Sequence, residues 1–121
     1  MESLALRRSA DRAETVSANR AWWDAEAEDY YAEHGAFLGD ADFCWGPEGL
    51  RESAAGLLGS VRGRDVLEIG AGAAQCSRWV QAQGGRPVAT DLSAGMLYQA
   101  RKLDSGRSAA SRIPLVQCDG R

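Results

Sequence analysis

The chain has 121 residues, a formal net charge of −3 and 45% hydrophobic residues, so one small globular unit with a modest core is expected. The mild acidic balance, with no block of like charge, argues against general affinity for nucleic acid, and no apolar run approaches a membrane span. Cys44, Cys76 and Cys118 are widely spaced and form no C-x-x-C pair. Structural disulfides and a cysteine zinc site are therefore not expected, whereas free thiols in a reducing, cytoplasmic compartment are.

Met1 to Ala10 lacks the apolar core of a signal peptide, and residues 1 to about 15, polar and rich in Arg and Ala, are expected to fray at their start. From Asp11 to about Glu33 the chain favours helix, because Ala, Glu and Arg dominate and Gly and Pro are absent. Val16, Trp23, Ala27, Tyr30 and Tyr31 recur at helical spacing and form one stripe. The paired aromatics Trp22-Trp23 and Tyr30-Tyr31 either anchor this helix to the domain or make it a lid over a pocket. Gly35 to Gly46 reads as a loop docked through Phe37, Leu38, Phe43 and Trp45. His34, the single histidine, has no partners at metal-ligand spacing; a surface or helix-end role fits it, with general-base work as the alternative. Pro47 and Glu48 predict a helix start, and Leu50, Ala54, Leu57 and Leu58 predict its apolar stripe, closed by Gly59.

The organising stretch is Arg64 to Gln75. Val66, Leu67 and Ile69 predict a short strand over Asp65 to Ile69, and Gly70 and Gly72 predict a sharp turn open to a close-approaching ligand. A helix from about Ala73 to Gln83 follows, with Trp79 and Val80 toward the sheet and Gly84-Gly85 as its stop. Pro87 to Thr90 predicts a second strand ending in Asp91. Ser93 caps a helix to about Leu103 whose inner face carries Met96, Leu97 and Ala100. Asp104 to Arg112 reads as an exposed loop, and Ile113 to Cys118 as a third strand before Asp119. The β-α-β-α-β order makes this an α/β chain with a Rossmann-like parallel sheet of order 3-2-1, preceded by N-terminal helices. Asp91 follows Gly72 by nineteen residues, the place from which a carboxylate holds a ribose diol. A dinucleotide-binding unit would want a third glycine where Gln75 stands.

Three blocks, Glu68-Ile69-Gly70-Ala71-Gly72, Asp91-Leu92-Ser93-Ala94-Gly95-Met96-Leu97 and Cys118-Asp119-Gly120, together resemble the first three cofactor motifs of class I S-adenosylmethionine-dependent methyltransferases. The resemblance implies S-adenosyl-L-methionine as cofactor. It puts Gly70, Ala71 and Gly72 against the amino-acid end of that molecule and Glu68 beside its methionine part. Asp91 falls on the ribose hydroxyls, and Leu92, Met96, Asp119 and Gly120 fall around the adenine. A third glycine is frequent in the family where this chain has Ala74. Trp22 to Gly35 resembles the leader of small-molecule methyltransferases, in which Tyr30 would lie nearest the cofactor.

The resemblance runs from about residue 64 onward, with residues 1–60 as a helical leader and 61–121 as the first half of the cofactor-binding domain. Family members continue with a fourth strand beside the first and with most substrate contacts, so a truncated or split protein is the expectation. Strand one would then stand at a sheet edge although its run is apolar on successive residues, inviting self-association or a complementary chain. The activity implied is methyl transfer to a small-molecule acceptor, with no catalytic residue nominated. The alternative is an inactive remnant that binds cofactor or a partner. No nucleic-acid, membrane or metal partner is expected.

Overall fold

A computed structural model of the chain describes residues 8–121. The expected fraying of the start therefore lies, for Met1 to Arg7, outside the described residues. The elements run α1 (Arg12–Leu38), α2 (Glu52–Ala55), β1 (Asp65–Ile69), α3 (Gln75–Ala82), β2 (Arg86–Asp91), α4 (Ala94–Asp104) and β3 (Leu115–Gln117), with a single 3-10 turn at Ala109–Ser111 before β3. No described helix is long and apolar enough to cross a membrane.

The three strands are parallel, with β2 between β1 and β3, which is the expected order 3-2-1. Ile69, Thr90 and Val116 lie side by side across the sheet, as do Glu68 and Ala89 one step back. The core lies on the helix-covered face and is built from small residues: Ala71, Ala74, Ala89 and Ala100 with Ile113 and Leu115. Val80 of α3 and Met96 and Leu97 of α4 are buried as their helical spacing predicts. The opposite face is only partly covered. Leu67 is 64% exposed and Ile69 62% exposed, and Val116 joins them. The continuous apolar run of β1 therefore resolves into an alternation, with Val66 and Glu68 turned inward.

Local differences from the sequence reading have physical causes. Helix α1 does not stop near Glu33 but continues through Gly35 to Leu38. Gly35 is buried there because the Tyr31 ring occupies the space a side chain would need, 2.9 Å from an added Cβ. The helix starts as its sequence predicts: Asp11 accepts from the Glu14 N–H at 2.8 Å, and the Glu14 carboxylate reaches back to the Asp11 N–H.

The helix expected over residues 47–58 is not formed; only Glu52–Ala55 is helical. The buried Glu52 carboxylate accepts from the Leu57 and Leu58 N–H groups and from the Trp45 indole, and these bonds close the segment after one turn. Gly56, at φ +61, ends it. Leu50, Leu57 and Leu58 consequently stand exposed. Pro47 sits instead in a small hairpin, in which Cys44 bridges Arg51 and the Trp45 N–H bonds the Leu50 carbonyl.

Candidate functional site

The carboxyl ends of β1 and β2 open into a crevice roofed by α1. Its inner part, about 170 Å³, is lined by Glu68, Gly70, Ala71, Gly72 and Gln75 below and by Tyr30, Tyr31 and Leu38 above. Its outer part, about 300 Å³, is lined by Asp91, Leu92, Met96, Ile69, Cys118 and Gly120, with Asn19 and Trp23 from α1. Tyr30, Gly70, Gly72 and Met96 belong to both parts, so one continuous surface runs from Glu68 to Asp91.

The turn after β1 needs its glycines for different reasons. Gly70, at φ +72, faces open space: an added Cβ would meet nothing within 4 Å. Gly72, at φ +58, is pressed by Met96, whose terminal methyl lies 3.2 Å from the missing Cβ. Its N–H donates to Asp91 Oδ2 at 2.9 Å, and the Ser93 N–H donates to Asp91 Oδ1, also at 2.9 Å. One carboxylate thus ties the ends of β1 and β2 together. Each of its oxygens still has a lone pair for a hydroxyl in the crevice. Ala74, where a third glycine was looked for, adopts φ +62 and is fully buried as the N-cap of α3. The backbone thus takes the glycine conformation without glycine.

Glu68 points inward beneath the turn. Its carboxylate accepts from the Ser77 hydroxyl at 2.7 Å and the Ser77 N–H at 3.1 Å. Burial pushes its pKa up against those bonds, and the nearby Asp91 charge pushes the same way. Beside it, burial and the Glu68 carboxylate push the Cys76 thiol up to about 12, which makes it a poor nucleophile.

Of the residues singled out from the sequence, Glu68, Gly70, Ala71, Gly72, Asp91, Leu92, Met96, Gly120 and Tyr30 all line the crevice. Asp119 does not. Its carboxylate turns to Arg121, with Nε at 3.2 Å, and that hydrogen bond holds its pKa below the ordinary carboxylate value. The neighbours Cys118 and Gly120 line the rim instead. Gly120 is there because the chain leaving β3 passes over Ile69, whose Cγ2 would lie 2.5 Å from any Cβ. Asn19, Asp42, Cys44, Gln75 and Cys76 also line the crevice without having been singled out for it. Asn19 stands one helical turn from Trp23, a spacing that could have marked it. His34 lies against Tyr30, ring centroids 4.6 Å apart, on α1.

A parallel sheet with a glycine turn after its first strand, an acid after its second and a crevice over both makes this a Rossmann-like α/β fold. Two solved structures share it, each with a TM-score of 0.55: DhpI in complex with SAH, at 22% identity, and the DhpI–SAM–HEP complex, at 19%. The first match covers 85% of this chain and 44% of DhpI; the second covers 92% and 45%. The chain thus spans somewhat less than half the length of these neighbours and has the fold anticipated from its motifs. No protein-family model matches the chain, and no curated protein matches it.

Proposed function

We propose that this chain binds S-adenosylmethionine along the crevice and is the cofactor-holding portion of a methyltransferase acting on a small molecule. The observation that carries the reading is the Asp91 carboxylate, fixed by the Gly72 and Ser93 N–H groups at the mouth of the outer crevice. Its free lone pairs would take the ribose hydroxyls. Gly70 and Gly72 would admit the amino-acid end, with Glu68 facing its ammonium group. Leu92 and Met96 would flank the adenine, with Gly120 and the Asp119 backbone at the rim. Tyr30 would cover the junction between the two halves of the ligand. Residues 61–121 serve in this reading as the first half of the binding domain and residues 1–60 as its leader.

When bound, the cofactor supplies an electrophilic sulfonium methyl, and the protein's task is to hold an acceptor in line with it. The small-molecule acceptor is supported by the neighbour solved with HEP beside SAM. The exposed Leu67 and Ile69 of the edge strand β1 support association through that strand with a second copy. Light scattering tests that part, and a monodisperse monomer refutes it.

Calorimetric titration with S-adenosylhomocysteine tests the binding. Asp91→Ala removes two charge-assisted hydrogen bonds of about 1.5–3 kcal/mol each, so affinity is expected to fall by about a hundredfold or more. Equal affinity in a folded Asp91→Ala protein would refute the site.

A further inference from the structure

Helix α1 roofs the crevice, yet it is held down by few apolar contacts: of its 27 residues only Ala27 and Gly35 are buried. Polar contacts near its middle and just beyond its C-terminal end hold the rest. Near its C-terminal end the Tyr31 hydroxyl donates to Asp40 Oδ1 at 2.7 Å, and Arg78 donates to the Asp40 carbonyl at 3.1 Å. Near the crevice's outer part there is one anchor, Asp24. Its Oδ1 accepts from the Ser93 hydroxyl at 2.5 Å and from the Gly95 N–H at 2.9 Å. Those bonds hold its carboxyl below the ordinary aspartate range, so it is ionised when it makes them.

The contact is built on both sides. An added Cβ on Gly95 would lie 3.0 Å from the Asp24 carbonyl oxygen and 3.2 Å from the Ala27 methyl, so glycine lets α1 seat directly on the start of α4. Ser93 is fully buried and fully used: its N–H goes to Asp91, and its hydroxyl both donates to Asp24 and accepts from the Met96 N–H. A single relay therefore runs from Gly72 through Asp91 and Ser93 to α1. On α1, Trp23 precedes Asp24 directly, and Tyr30 stacks edge-on against Trp23 with centroids 5.2 Å apart. Asn19, Trp23 and Tyr30 are the α1 residues over the outer crevice.

We infer that Asp24 is a positioning residue that latches α1 over the outer crevice and sets how long a ligand stays there. The inference rests on the proposed ligand reading for its kinetic consequence but not for the latch. A ligand seated between Asp91 and Trp23 leaves only when this half of α1 lifts, and lifting breaks both bonds to Asp24.

The test uses the full chain with Asp24→Ala and Asp24→Asn. The Asp24 side chain is exposed, so both variants are expected to fold, and a thermal melt confirms it. Hydrogen exchange without ligand is expected to speed up at the amides of residues 19–30 in Asp24→Ala, while β1 and β2 keep their protection. Stopped-flow dissociation of S-adenosylhomocysteine is expected to accelerate about tenfold or more in Asp24→Ala, with the association rate little changed. Asp24→Asn, which keeps the acceptor and loses the charge, is expected to fall between. Unchanged exchange over residues 19–30 in Asp24→Ala would overturn the latch whether or not any ligand binds. Accelerated exchange with unaltered ligand dissociation would overturn the control of residence time. Absence of binding in every variant would count against the ligand reading alone, leaving the exchange result to decide the latch.

Discussion

Replacing Arg78 with Met attacks the one buried cation among the described residues, which gathers the back of the site. Its Nε donates to Asp104 Oδ1 at 2.7 Å, Nη2 to the Ala100 carbonyl at 2.8 Å, and Nη1 to the carbonyls of Ala73 at 2.6 Å and Asp40 at 3.1 Å. Arg78 is 4% exposed and Asp104 2%. Methionine keeps the stem volume and donates nothing. The Ala73 and Ala100 carbonyls lose their side-chain partner, and Asp104 retains only the Ile113 N–H at 2.8 Å and Arg107 at 3.3 Å. Removing one partner of a buried ion pair costs about 3–5 kcal/mol, against a total stability on the order of 5–15 kcal/mol for a domain. Urea denaturation followed by circular dichroism measures it. Asp104→Asn keeps an acceptor for Ile113, and in the double variant the uncompensated charge is gone. The double loss is therefore expected to fall short of the sum by about 1–3 kcal/mol. A single loss below about 1 kcal/mol, the range of an exposed ion pair, or strict additivity would refute the reasoning.

Gly70→Val puts a β-branched residue at φ +72 with its side chain in the crevice; a loss of about 1–2 kcal/mol in stability and near-complete loss of S-adenosylhomocysteine binding are expected by melt and calorimetry. Normal binding by a folded variant would remove the turn from the site. Ala74→Gly relieves a left-handed alanine worth about 1–2 kcal/mol and gives up one buried methyl worth about 0.8 kcal/mol, so the urea midpoint is expected to hold or rise. A clear drop would show that the alanine is unstrained. For Glu68, burial raises the folded pKa above the unfolded one, so its contribution to stability is present below the unfolded value and is lost as pH rises through the folded one. Glu68→Gln is accordingly expected to flatten that fall, matching or exceeding the parent's melting temperature at neutral pH while binding S-adenosylhomocysteine more weakly. A variant less stable than the parent there would reverse the sign.

What could be read from the residues was local and punctuated. Gly70, Gly72, Pro87, Ser93 and the acid at Asp91 bracket short apolar runs, and the turn, the caps and the strand order followed from them. The leucines at 50, 57 and 58 misled because periodicity says nothing of competing hydrogen bonds, and Glu52 took up the N–H groups a longer helix would have used. Gly35 suggested a helix end, but the Tyr31 ring lies over it and the helix continues. Asp119 was placed by its position after the third strand and by motif, and its carboxylate instead pairs with Arg121 two residues on. The pairs Arg78–Asp104 and Asp24–Ser93 span 26 and 69 residues, distances over which no pattern in the chain signals a contact.

The alanine core has a thermal consequence. Helices resting on Ala71, Ala74, Ala89 and Ala100 bury little hydrocarbon, and Leu67, Ile69 and Val116 are already wet in the folded state. The heat-capacity change on unfolding scales with newly exposed apolar surface, typically about 12–15 cal/mol/K per residue. Here it is expected to fall below that range, which scanning calorimetry measures. The curve of stability against temperature would then be broad and shallow, with a heat transition spread over many degrees and cold denaturation displaced far below freezing.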